Sequence, residues 1–352
     1  LKRSEIFAFF LLLLLSSCSA GIPKNNLYEE YMYIQRTKDF SKTSINEEIQ
    51  RDILLVMKNH KVPYGAVIVA DARDGRILAV EEHSERGYDK GEFINKPVSA
   101  ASIFKIITLG AAIGSGVFNA KDKIKYYDSP YSELNKYMDK RKSKSYGVTT
   151  TVENAIALSN NSAFAEIALK LDKKKLYEYS EKFFFTNSSL SGIKTGYIEK
   201  PKDSTELIQL CSGLKFSYMS PFQALLIAMT IANDGELKVP YINMSDSKKS
   251  ITAIKKIVAN GLLEAMSSTT ILGTSKKQFS NNIEIAKHTY AKTGSLYGYS
   301  PDGYYNWFMG IYDGKKSRYA VVVLTVNDPK WSVKANYLAY KSIEFIRKHE
   351  EN

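Results

Sequence analysis

Cysteine is almost missing from this chain of 352 residues: Cys18 and Cys211 are the only two, too few for a disulfide-stapled scaffold. Histidine is nearly as scarce. His60, His83, His288 and His349 show no His-Glu-x-x-His or other ligand-like spacing, which argues against a metal enzyme, and no cofactor is expected. The chain has no internal repeat, no low-complexity tract, no zinc-finger spacing and no long basic tail. The net charge of +12 would suit an anionic partner such as a wall polymer, a lipid surface or nucleic acid. Without those features it reads as solvated surface lysine, and nucleic acid is not an expected partner. What remains, 44% hydrophobic and 24% charged residues, is an ordinary globular composition able to bury a sizeable core.

One apolar run stands at the start. Lys2 and Arg3 precede Ile6 to Leu15, a stretch too short to span a bilayer as a mature helix, so residues 1–17 are expected to be a signal peptide. The run closes in Leu15-Ser16-Ser17-Cys18, which resembles the lipobox of bacterial lipoproteins. That resemblance implies a lipid on Cys18 and an exported, membrane-anchored chain facing the periplasm or extracytoplasmic space.

Residues 18–60 are expected to be a lipidated, polar linker ending in a first helix, with Ser44 and Glu47 as a capping box ahead of Ile45, Ile49, Ile53 and Met57. "YGAVIVADARDGRILAVEEHS" then gives two β-rich runs around Asp74-Gly75, a hairpin. Three more strands are expected in "IEIAKHTYAKTGSL", "NWFMGIYD" and "YAVVVLTVND", with Asp313-Gly314 as a turn and a last helix in "VKANYLAYKSIEFIRKH". Residues from about 102 to 240 lie between the two strand groups and are mostly helical in pattern. The expected fold is therefore α+β: a five-stranded antiparallel sheet flanked by N- and C-terminal helices, with an inserted all-helical subdomain and the active site between them, spanning residues 61–352.

The helical stretch opens with "SIFKIITLGAAIGSG", whose apolar residues surround the whole helix and predict burial on all sides. Lys105 falls inside it, where an unpaired ammonium is costly. Ser102, three positions earlier, shares its face. A lysine of lowered pKa could take the proton of a serine at a helix start. Three other Ser-x-x-Lys spacings, Ser191/Lys194, Ser212/Lys215 and Ser245/Lys248, lack the buried helix and read as coincidence. Further on, two apolar helical runs meet at Ser159-Asn160-Asn161, a place where Ser and Asn either cap the second helix or point into a cleft. Lys-Thr-Gly occurs twice, at Lys194-Thr195-Gly196 in a loop and at Lys292-Thr293-Gly294 in an alternating run.

Buried Ser-x-x-Lys, then Ser-x-Asn at a helix junction, then Lys-Thr-Gly on a strand, in that order, resembles the penicillin-binding protein and serine β-lactamase superfamily, and in particular its transpeptidase domains. "YMSPFQALLIAMTIANDGELKVPYI" is similar to a segment of such domains, and the likeness runs from about residue 64 to the C-terminus. The resemblance implies Ser102 as nucleophile, Lys105 as its base, and Ser159 and Asn161 as proton relay and amide holder. It implies that Lys292, Thr293 and Ser295 meet the carboxylate of a D-alanyl-D-alanine stem peptide or a β-lactam, that Gly294 lies between them on the strand beside the nucleophile, and that the N–H groups of Ser102 and Ser295 form an oxyanion hole. Lys194 is then a decoy. The expected function is a free-standing serine DD-transpeptidase of peptidoglycan cross-linking, with stem peptides and β-lactam antibiotics as partners.

The alternatives lie inside the same superfamily. A class D β-lactamase would carry Val where Asn161 stands. A class A enzyme would need its Glu-x-x-Leu-Asn loop after the Ser-x-Asn motif, whereas here "SELN", Ser132 to Asn135, precedes it with Tyr131 at the Glu position. A DD-carboxypeptidase shares the acyl-enzyme, and a non-catalytic β-lactam-binding lipoprotein shares the fold.

Overall fold

The computed structural model describes residues 21–143, 146–328 and 333–351; the expected signal peptide and Cys18 lie outside them. Strand β1 (Tyr64–Asp71) turns at Gly75, whose φ of +93° is left-handed backbone that favours glycine, into β2 (Ile77–His83). The remaining strands come from the other end of the chain: β3 (Thr289–Tyr299), β4 (Asp302–Asp313) and β5 (Arg318–Asn327). All five pair antiparallel in the order β3-β4-β5-β1-β2, which leaves β3 at an edge.

The central pair explains why β1 and β5 read as near-continuous Val, Ile and Ala rather than as an alternation. Both of their faces are covered. Val67, Val69, Val321 and Val323 join a core with Ile53 and Met57 of α2 (Glu47–Asn59) and Leu338 and Ile343 of α7 (Ala335–Glu351). The intervening Ala66, Ile68, Val322 and Leu324 face the larger core, built on the insert helices α3 (Phe104–Gly114), α4 (Val152–Ala157), α5 (Asn161–Lys170) and α6 (Pro221–Ala232).

Four local expectations change. The polar stretch before residue 44 holds a helix, α1 (Leu27–Thr37), which buries Leu27, Tyr31 and Ile34 at helical spacing. Asn46, not Ser44, caps α2 by accepting from the Ile49 amide, because Ser44 is already committed to the sheet edge, donating to the Ile77 carbonyl at 2.7 Å. The run "IEIAKHTYAKTG" is not one strand: Asn282 caps a short helix, Ile283–Lys287, and β3 begins at Thr289, so Lys292 lies near its start. The insert is not all-helical either. Lys123–Tyr127 pairs with Gly147–Thr151, and Val98–Ser99, Ser217–Met219 and Tyr197–Ile198 form a three-stranded sheet; β-branched and aromatic residues there favour pairing over helix.

Candidate active site

Ser102 sits in a single tight turn, Ala101–Ile103, that runs directly into α3. Ala101 is held at φ +46°, a conformation disfavoured for a residue with a side chain, so the turn is fixed by its surroundings. One of them is Gly213, at φ +70°, where a Cβ would collide with the Ala101 carbonyl oxygen. Another is the indole of Trp307, whose Nε1 donates to the Ser99 carbonyl at 2.9 Å.

One turn along, Lys105 is fully buried. Its ammonium donates to Ser102 Oγ at 2.9 Å, to Asn161 Oδ1 at 2.8 Å and to the Ser212 carbonyl at 2.6 Å, and it lies 5.5 Å from the centre of the Phe164 ring. None of these oxygens belongs to a carboxylate. Burial therefore pushes Lys105 well below the ordinary lysine range, and the charge of Lys292 pushes it further the same way. Lys292, equally buried, is lowered by burial to about 7.

The Ser159 junction shows how three consecutive polar residues divide their roles. Asn160 takes the capping role, its side chain accepting from the Ala163 amide at 2.9 Å. Ser159, at φ +56°, and Asn161 are thereby turned toward the two lysines: Ser159 Oγ accepts from Lys292 Nζ at 2.9 Å, and Asn161 accepts from Lys105. Lys292 also donates to the Thr293 carbonyl at 2.6 Å. A Cβ on Gly294 would lie 3.2 Å from the Ser102 amide nitrogen, so β3 passes directly beside the nucleophile candidate.

Ser102, Ser159, Asn161, Thr293, Gly294 and Ser295 line one cleft of about 370 Å³, with Lys105 and Lys292 beneath them. Ser295 Oγ donates to Asn306 Oδ1 at 3.2 Å on the neighbouring strand. The second triplet is elsewhere. Lys194 is exposed on a two-residue strand, Ile193–Lys194, rather than in an open loop.

Several cleft residues escaped the sequence. Ser212, set aside as a coincidental Ser-x-x-Lys, supplies the carbonyl that holds Lys105; Gly213 beside it was the available signal. Tyr131, notable only for not being Glu, lines the cleft and donates to the Leu158 carbonyl at 2.5 Å. Thr274, Asn306, Lys334 and Asn336 also line it, and nothing in their local sequence marks them. Among the described residues no group of His, Cys, Asp and Glu is arranged to hold a metal ion.

A family model described as the penicillin binding protein transpeptidase domain matches residues 65–344. Stage V sporulation protein D of Bacillus subtilis is 26% identical over 223 residues, which cover 57% of this chain and 34% of that protein. The chain thus spans about a third of the length of that curated relative. Among solved structures, the D,D-transpeptidase domain of a peptidoglycan glycosyltransferase from Eggerthella lenta superposes with a TM-score of 0.68 at 18% identity, covering 90% of this chain and 87% of that one. PBPA from Mycobacterium tuberculosis superposes with a TM-score of 0.67 at 20% identity, covering 86% and 79%. At those identities the structures speak for the fold, while the family match, extending over most of the chain, speaks for descent. The chain belongs to the penicillin-binding protein transpeptidase domain family.

Proposed function

We propose that this protein is a serine-type acyltransferase of D-alanyl-D-alanine stem peptides, a DD-transpeptidase of peptidoglycan cross-linking that penicillin acylates. The observation that carries the proposal is the 2.9 Å contact between Ser102 Oγ and a fully buried lysine held only by neutral oxygens. Burial among neutral oxygens favours the uncharged form of Lys105, and in that form Nζ can accept the Ser102 proton.

In the proposed reaction Lys105 Nζ takes the Ser102 hydroxyl proton as Oγ attacks the carbonyl between the two D-alanines. The oxyanion that forms is stabilised by the N–H groups of Ser102 and Ser295 and by the N-terminus of the helix that follows Ser102. The tetrahedral adduct collapses with cleavage of the C–N bond. The leaving amine is protonated through Ser159 Oγ, which is replenished from Lys292, its hydrogen-bond donor. D-Alanine departs and an ester to Ser102 remains. An incoming amine reverses the sequence and forms the cross-link. Asn161 both anchors Lys105 and offers its amide to the substrate, while Lys292, Thr293 and Ser295 meet the terminal carboxylate. A β-lactam enters by the same steps, but its opened ring stays tethered, so the ester persists.

Intact-mass measurement with benzylpenicillin tests this. The wild type gains one penicilloyl group, and Ser102→Ala, which removes only the nucleophilic oxygen, gains none. A labelled Ser102→Ala protein overturns the assignment, and rapid catalytic hydrolysis of penicillin moves the chain to the β-lactamases.

The same reading places the domain outside the cytoplasmic membrane, on a lipid attached to Cys18. The Leu-Ser-Ser-Cys sequence supports the anchor, and among the described residues no helix is long and apolar enough to cross a membrane. Cys18→Ala is expected to release the protein from the membrane fraction into the soluble one; retention through a high-salt wash overturns the anchor.

A further inference from the structure

Thr274 is the least expected residue of the cleft. It follows Gly273, whose position against the Ala157 carbonyl oxygen leaves no room for a Cβ. The Thr274 backbone is tied on two sides: its N–H donates to Ala157 O at 3.0 Å, at the end of the helix leading to Ser159, and its carbonyl accepts from Asn336 Nδ2 at 3.0 Å, at the start of α7. Its side chain reaches a third element. Thr274 Oγ1 lies 2.5 Å from Thr293 Oγ1 on β3, and both threonines line the cleft.

Two hydroxyls that close share one hydrogen. Whichever oxygen donates, the other O–H is left without a partner inside the pair and can point into the cleft. With Thr274 donating to Thr293, the Thr293 O–H is the one left free for a bound anion, and the pair then presents a hydrogen-bond donor on β3. Because Thr274 is held by its backbone, the pair is also held still.

We propose that Thr274 determines specificity by positioning Thr293, so that the cleft selects acyl donors carrying a free carboxylate over otherwise identical donors in which it is masked. This rests on the acyl-transfer reading above, with Thr274 acting through Thr293 rather than on the scissile bond. Its hydroxyl orders the donor that the carboxylate meets, and removing it lets the Thr293 hydroxyl rotate away.

Benzylpenicillin and its methyl ester form a matched pair for the test, followed by intact mass. The wild type acylates faster with the free acid. Thr274→Val keeps both backbone hydrogen bonds and the side-chain shape, so the fold should survive, and the acid-to-ester rate ratio is expected to fall about tenfold, the effect of losing one well-placed hydrogen bond to a charged group. Thr274→Ser, which retains the hydroxyl, should restore the ratio. An unchanged ratio in Thr274→Val, or equal loss with both compounds, overturns the inference and leaves acyl transfer intact; failure of Thr274→Ser to restore it does the same. A wild type acylated by neither compound overturns acyl transfer itself and this inference with it.

Discussion

Lys292-Thr293-Gly294 and Lys194-Thr195-Gly196 share three residues and little else. In the first, the ammonium is buried against Ser159, the threonine hydroxyl is paired with Thr274 at the cleft wall, and the glycine lets β3 pass beside Ser102. In the second, the ammonium is exposed, the Thr195 hydroxyl serves its own hairpin by bonding the Ser188 amide at 2.8 Å and the Thr186 hydroxyl at 3.0 Å, and the Gly196 amide is held by Gln223. One triplet sets its threonine and glycine in the wall of a cleft, with its lysine buried beneath against Ser159. The other uses its threonine and glycine internally to close a turn. The difference lies in what surrounds the triplet, and a tripeptide carries none of that information.

Substitution in the two copies can break this contrast. The largest effect is expected at Lys292. Lys292→Ala removes the cation proposed to meet the substrate carboxylate and to bias Lys105 toward its neutral form, so penicillin acylation should slow by about a hundredfold, corresponding to roughly 3 kcal/mol. Lys194→Ala is the control and should leave the rate within about twofold; equal losses at the two lysines in intact-mass kinetics dissolve the distinction. A smaller effect, read in stability instead of rate, is expected at the second glycine. A methyl group on Gly196 would press into the Tyr218 carbonyl and Gln223, backbone and buried side chain that cannot move freely. Gly196→Ala should cost about 1–3 kcal/mol in denaturant unfolding. The purified variant, where folded, should still be acylated at Ser102. Loss of acylation in a fully folded Gly196→Ala protein would show that the second copy communicates with the cleft after all.

The legible parts of the site were the local ones. Ser102 and Lys105 are three apart on one helix, and a lysine surrounded by Phe104, Ile106 and Ile107 signals burial before any tertiary contact is known. Ser159 and Asn161 could be placed at a helix junction, but the same pattern fits a cap, and only the structure shows Asn160 taking that role and freeing its neighbours. The β1–β2 hairpin and the last helix were visible in their periodicity. The start of β3 was not, because Ile283 and Ile285 alternate as well in a short helix as in a strand. Helix α1 was missed although Leu27, Tyr31 and Ile34 keep helical spacing, since the charged residues between them dominate the composition.

What the chain order alone determined is the set of elements and the sequence in which the candidate groups arrive: a buried helix bearing Ser102 and Lys105, a polar helix junction, and a strand bearing Lys-Thr-Gly. What only the tertiary structure decided is which groups meet. The Ser212 carbonyl reaches Lys105 across 107 residues, Ser159 reaches Lys292 across 133, and Thr274 joins Thr293 from a segment with no motif of its own. The physical reason is that a lysine's protonation state depends on the dielectric and charges around it, and those are supplied by packing between segments far apart in the chain. Lys194 and Lys292 have the same covalent structure and the same following residues; burial beside Ser159 lowers Lys292 to about 7, and no inspection of either triplet could have shown that.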